Sequence, residues 1–154
     1  MEIAAATLGI LNVTARTASK VWSLCDSWKE APTEIHLLRD SLDRAHDFFS
    51  QVQTGIQNTR IDRLSAANPL HEQSLGQLKQ MIDQGSSTIA RIEVLVLDIL
   101  DGRDPGMDLV WHTRPLNKRR KIAWLAKSPR LARHGSALKE ISNTICSILV
   151  MINV

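Results

Sequence analysis

The sequence predicts an all-α protein, an up-and-down bundle of four to five long helices. Three observations carry this reading. Apolar residues recur at alternating three- and four-residue steps over long stretches. Pro and Gly cluster at the boundaries of those stretches. No stretch alternates apolar and polar residues in the two-residue period of a strand. A length of 154 residues suits one domain with a substantial core.

The first segment, Ile3 to about Trp28, contains only Gly9 as a breaker. Its apolar positions include Ile3, Leu8, Ile10, Leu11, Val13, Val21, Trp22, Leu24 and Trp28. Ala31-Pro32 separates it from a second helix with the stripe Ile35, Leu38, Leu42, Ala45, Phe49, Val52 and Ile56. Pro32 suits a first helical turn, where its missing N–H has no intrahelical partner. On the outer face, Arg39–Asp43 and Asp40–Arg44 stand at the i, i+4 spacing of favourable ion pairs.

Asn68-Pro69 reads as the cap and first residue of a third helix, striped by Leu75, Leu78, Ile82, Gly85, Ile89, Ile92, Val96 and Ile99. Gly85-Ser86-Ser87 in its middle either admits a close neighbour or bends it. Asp101-Gly102 and Asp104-Pro105-Gly106 stop it. A short basic helix is expected from about Leu116 to Lys127. Ser128-Pro129 then opens a last helix striped by Leu131, Leu138, Ile141, Ile145, Ile148 and Ile152.

The net charge of +3 hides an uneven distribution. Residues 1–108 hold 10 basic and 15 acidic side chains; residues 109–154 hold 9 basic and 1 acidic. Apolar residues at 44% exclude a disordered polyelectrolyte. No uninterrupted apolar run approaches the length of an ordinary membrane span. The leading charge is Glu2, and the first basic residue, Arg16, follows the apolar stretch, which is the wrong order for a secretory signal. Cys25 and Cys146 lie in apolar helical patterns without metal spacing and read as buried free thiols. These features together point to an intracellular protein.

The sequence carries no phosphate-binding glycine loop, no G-x-S-x-G elbow and no H-E-x-x-H. His36, His46, His71, His112 and His134 are scattered, and Asp101 to Asp104 lacks the ligand alternation of a calcium loop. No catalytic residue, metal or cofactor is therefore expected.

Two features bear on binding. From Arg114 to Lys139, nine cations (Arg114, Lys118, Arg119, Arg120, Lys121, Lys127, Arg130, Arg133 and Lys139) occur without an intervening acid. They either form a solvated face beside the acidic helices or attract an anionic membrane, at about 1 kcal/mol per cation near the leaflet. Nucleic acid is the poorer match, since no aromatic stacking platform accompanies them. Residues 3–15 carry no charge, and Arg16 and Lys20 follow. That stretch is either a core helix or one released into a bilayer when copies assemble, with Trp22 and Trp28 at the interface.

Several short motifs resemble the N-terminal domains of fungal NLR-like (STAND/NACHT) proteins. They are Ile10-Leu11-Asn12-Val13-Thr14-Ala15-Arg16-Thr17-Ala18-Ser19-Lys20-Val21 and Lys29-Glu30-Ala31-Pro32-Thr33-Glu34-Ile35 near the start. Toward the end come Arg120-Lys121-Ile122-Ala123-Trp124-Leu125, Leu131-Ala132-Arg133-His134 and Ser136-Ala137-Leu138, followed by Ile148-Leu149-Val150-Met151-Ile152. The resemblance spans nearly the whole chain. That family is similar to HeLo and HeLo-like domains, and to the four-helix domains of the mixed-lineage-kinase-like necroptosis effector and plant resistance proteins.

The resemblance implies an effector of programmed cell death or innate immunity that oligomerises and targets or permeabilises membranes. Ile3, Leu8, Ile10, Leu11 and Val13 would insert. Arg114, Lys118, Arg119, Arg120, Lys121 and Lys127 would meet anionic headgroups. Implied partners are anionic lipids, further copies of the chain, and other domains of a parent receptor or a signalling partner. The implied location is the cytoplasm, with recruitment to the plasma membrane on activation. Ser128-Pro129 departs from a helix that is often continuous in the family. With no nucleotide-binding module before Val154, the chain reads as an excised domain or a solitary homologue. The rival reading is a protein-interaction or oligomerisation module that does not touch membranes.

Overall fold

The computed structural model describes residues 2–28, 30–59, 69–101 and 116–152. Every regular element among them is a helix: α1 (Glu2–Ser27), α2 (Thr33–Thr59), α3 (Pro69–Leu100) and α4 (Leu116–Ile152). The helices alternate in direction along the chain, as an up-and-down order requires. Their spatial order is different. α1 packs on α2 and α3, α4 packs on α3, and α2 meets α4 along a sparse seam. Consecutive α2 and α3 scarcely touch. α1 and α3 therefore run side by side in the same direction, with Ile10 beside Gly85 and Arg16 beside Glu93.

The predicted stripes of α2, α3 and α4 form the core. All their residues are buried except Leu38, which is partly buried against it. Asp101 closes α3 by donating its N–H to the Leu97 carbonyl at 2.9 Å. Gly85 settles the question left by its sequence context. A Cβ there would lie 2.9 Å from Ile10 Cδ1, 3.5 Å from Ile141 Cγ2 and 3.8 Å from Phe49 Cζ. Side chains from the three other helices converge on one glycine, whose missing side chain lets α1 and α3 approach.

α1 departs from its expected apolar set. Its buried stripe runs Ile3, Thr7, Ile10, Thr14, Thr17, Val21, Leu24 and Trp28. Leu8 and Trp22 face outward instead. Trp22 donates from Nε1 to Asp43 at 3.3 Å, and the Arg39 guanidinium stacks 4.4 Å above its ring. Arg39 and Asp43 are thus drawn to Trp22 across the α1–α2 seam; Arg39 pairs with its neighbour Asp40, not with Asp43.

The expected break at Ser128-Pro129 does not occur. The short basic helix and the last helix are one 37-residue element containing Pro129. Proline has no N–H for the Leu125 carbonyl, but Leu125 and Pro129 both lie on the exposed face, where water can satisfy that oxygen. Replacing Pro129 by alanine is expected to restore this bond and raise stability by about 1–2 kcal/mol. A denaturant midpoint at or below wild type would contradict that account. The cysteines also differ from expectation: Cys25 is half-buried, with burial pushing its thiol pKa up, and Cys146 is exposed.

Candidate functional site

The uncharged stretch of α1 is held in the bundle in an unusual way. Thr7, Thr14 and Thr17 are buried, and each hydroxyl donates to the carbonyl four residues earlier, on Ile3, Ile10 and Val13. These hydroxyls are satisfied within their own helix and ask nothing of α3. Their small side chains contribute less apolar contact than the Leu or Ile that occupies such positions in α3.

Just beyond this stretch lies an ionic clamp. Glu93 of α3 has a side chain only 12% exposed. Arg16 donates to it from Nε at 2.6 Å and Nη2 at 3.1 Å, and Lys20 Nζ donates at 2.8 Å. The Arg16 hydrogen bonds are the chief cause of a carboxyl pKa below the ordinary glutamate value; burial opposes them, and Lys20 adds to them. One buried acid thereby fastens α1 to α3 through two cations.

Of the residues expected to insert, Ile3, Ile10, Leu11 and Val13 are buried in the core. Only Leu8, 48% exposed, is at the surface. Insertion of the whole set therefore requires α1 to leave its seat.

The basic residues divide in a similar way. Lys118 and Lys121 are exposed and Arg119 is half-buried. Arg120 is 9% exposed and Lys127 only 6%. Arg114 lies outside the described residues. Arg120 donates from Nη1 to the Ser27 carbonyl at 3.0 Å and to Ser27 Oγ at 2.9 Å, closing the C-terminal end of α1 where helix carbonyls carry negative partial charge. The Nε groups of Arg119 and Arg120 are buried without a partner among the described residues.

Arg120, Lys127 and His134 stand seven residues apart on the stripe that continues as Ile141 and Ile148, so heptad geometry turns them toward the bundle. Burial lowers the His134 pKa, and Arg91 and Arg133 lower it further. In this arrangement Arg120 and Lys127 belong to the seam of the bundle and are not available to headgroups. Lys118 and Lys121 are available, and Arg119 is partly so.

Lys118–Ile152 is long and apolar enough, by length and composition, to cross a membrane. A core helix of a soluble bundle meets the same criterion; 28% of the qualifying 18-residue window is buried. The uninterrupted-run criterion misses it because Lys139 and Glu140 interrupt the apolar C-terminal half of this helix. Among the described residues no three His, Cys, Asp or Glu side chains gather in a metal-ligating group.

Sequence reasoning missed two parts of this site, the buried threonines and Glu93. Counting threonine as a core residue would have completed the α1 stripe. Glu93 was visible as the lone charge within Ile92-Glu93-Val94-Leu95-Val96-Leu97. Among the described residues, the fold and site define an all-α bundle of four packed helices with a clamped first helix. Comparison with known proteins finds no family model, characterised protein or solved structure that matches the chain.

Proposed function

We propose that this domain is a membrane-active effector whose first helix leaves the bundle and enters an anionic bilayer once copies assemble. Its role would be the cell-death or immune signalling implied by its resemblance to HeLo-like domains of fungal NLR-like receptors. The supporting observation is the portability of α1. Residues 3–15 carry no charge, and their buried hydroxyls are bonded inside the helix. The threonine hydroxyls, and the backbone groups beyond the first turn, would thus enter hydrocarbon already satisfied. Thirteen residues make about 20 Å of helix, short of a hydrocarbon core of about 30 Å. Insertion is accordingly partial, with Arg16 and Lys20 at headgroup depth and Trp22 in the interfacial zone. Exposed Lys118 and Lys121 supply attraction to the leaflet.

Dye release from vesicles with and without phosphatidylserine tests this reading. Wild type is expected to release dye from the anionic vesicles. Leu8→Glu, at an exposed position that spares the fold, is expected to reduce release about tenfold or more through the cost of a carboxylate in hydrocarbon. Glu93→Gln unfastens α1 and is expected to speed release. Ile10→Glu is unsuitable, because Ile10 is wholly buried and its loss disrupts the bundle itself. Equal release by wild type and Leu8→Glu, or no release by either wild type or Glu93→Gln, overturns the proposal.

A further inference from the structure

The sparse α2–α4 seam opens into a groove that the membrane reading does not use. It consists of two cavities, about 410 and 440 Å³, which share Ser41 and Gly135. The first is apolar, lined by Leu37, Leu38, Trp124, Pro129 and Leu131, with Glu34 at its edge. The second is lined by Phe48 and Leu138 together with Arg44 and Lys139, and among the described residues no carboxylate lines it. Leu37 is 59% exposed. Between Glu34 and Phe48, α2 advances about 21 Å at 1.5 Å per residue.

The groove walls contain residues that do not favour a helix and that the bundle itself does not need. Gly135 sits inside α4, where glycine costs about 1 kcal/mol relative to alanine. A Cβ there would meet nothing within 4 Å, in contrast to the crowded Gly85. Pro129 is a second such residue on the same wall. Together with Ala132 they leave α4 low along this side, with room for another backbone.

The charge pattern indicates what would fill it. Among the described residues, one cavity carries an acid without a cation, and the other carries two cations without an acid. An occupant therefore needs an apolar stripe, carboxylates at the end over Arg44 and Lys139, and a cation at the end near Glu34. The cavities are offset by about seven residues of α2, from Leu37 to Arg44, or about 10 Å. That is the separation of anchors at i and i+7 on a docked helix. Two copies facing groove to groove would set two cations against a single glutamate at each end, leaving one cation of each pair unmatched, whereas a helix with two carboxylates at one end matches both.

We propose that the α2–α4 groove is the docking site for an amphipathic helix of a partner protein, held by two apolar anchors seven residues apart and by carboxylates over Arg44 and Lys139. The inference is independent of membrane insertion.

The probe is a synthetic helical peptide of about four turns, with leucines at i, i+3 and i+7, glutamates at one end and lysines at the other. Its control has every charge reversed. Binding is followed by calorimetry and by amide shifts in the NMR spectrum. The original peptide is expected to bind and to shift the amides of Leu37, Phe48 and Gly135. Lys139→Glu is expected to weaken it about tenfold and to favour the control peptide. Gly135→Leu fills open space, so it should fold with an unchanged or higher Tm while abolishing binding. Three results overturn the proposal: no binding of the original peptide, equal binding of both peptides, or binding that survives Gly135→Leu. Self-association of the protein that Gly135→Leu abolishes, without peptide binding, assigns the groove to a second copy and also overturns it.

Discussion

Gly85→Leu is expected to destabilise the bundle by about 3 kcal/mol. The new Cβ alone would stand 2.9 Å from Ile10 Cδ1, and three further carbons must fit between Ile10, Phe49 and Ile141. Ile10 and Phe49 are wholly buried, so neither can swing into solvent to make room. Relief has to come from separating α1 from α3, which strips contacts along both helices. Helix propensity works the other way, with leucine favoured over glycine by less than about 1 kcal/mol, and cannot offset the overpacking.

Gly85→Ala separates these two terms. Its one methyl displaces the flexible end of Ile10 while gaining about 1 kcal/mol of propensity, so its stability should stay near wild type. Urea titrations of both variants provide the check, with the Gly85→Leu midpoint well below the other two. A Tm lower by roughly 6–12 °C is the corresponding thermal result for a chain of this size. Equal stability of Gly85→Leu and wild type would falsify the three-helix convergence at this point.

Replacing Arg16 and Lys20 together by methionine is expected to cost more stability than removing the acid they share. The double variant leaves the Glu93 carboxylate almost enclosed and without a cation, at about 3 kcal/mol, the low end for a broken buried pair because its edge still reaches water. In Glu93→Gln the cations are left without a partner, but Arg16 is more than half exposed and Lys20 is partly exposed, so water solvates both. That variant should lose clearly less.

Acid titration adds a second readout. The folded carboxyl titrates below its unfolded value, so its stabilising contribution is complete above the ordinary glutamate value. It is lost as the pH falls from there through the lower folded value. Glu93→Gln should therefore flatten the acid limb of the stability curve and leave the limb above pH 6 unchanged in slope. If the double variant is no less stable than Glu93→Gln, the clamp does not hold α1 in the way described.

These substitutions probe two points on the same contact between α1 and α3, and the sequence revealed them unequally. Gly85 stood out as a glycine on an otherwise apolar stripe, because a 3–4 repeat makes any small residue on it conspicuous. Glu93 did not, because its partners lie 73 and 77 residues away and no local spacing connects them. The basic tract shows the same limit. Nine cations without an acid are plain in the sequence, whereas the burial of Arg120 and Lys127 depends on helical phase. From the sequence, a boundary is expected at Ser128-Pro129, across which helical phase cannot be carried. A proline on the outer face removes one solvent-side hydrogen bond and does not reset the phase, so the seven-residue spacing from Arg120 through Lys127 and His134 to Ile141 runs straight through it.

By itself, the sequence determined the all-helical class, the helix starts near Pro32 and Pro69, the stop at Asp101, and the core faces of α2, α3 and the last half of α4. These are local consequences of periodicity and backbone chemistry, written over a few turns of helix. Only the tertiary structure decided which helices are neighbours, that α1 lies parallel to α3, that its threonines face inward, and that a groove stays open between α2 and α4. Neighbour choice depends on how side chains from distant segments fill a shared volume, and the missing side chain at Gly85 and the lone carboxylate at Glu93 acquire meaning only when that volume closes around them.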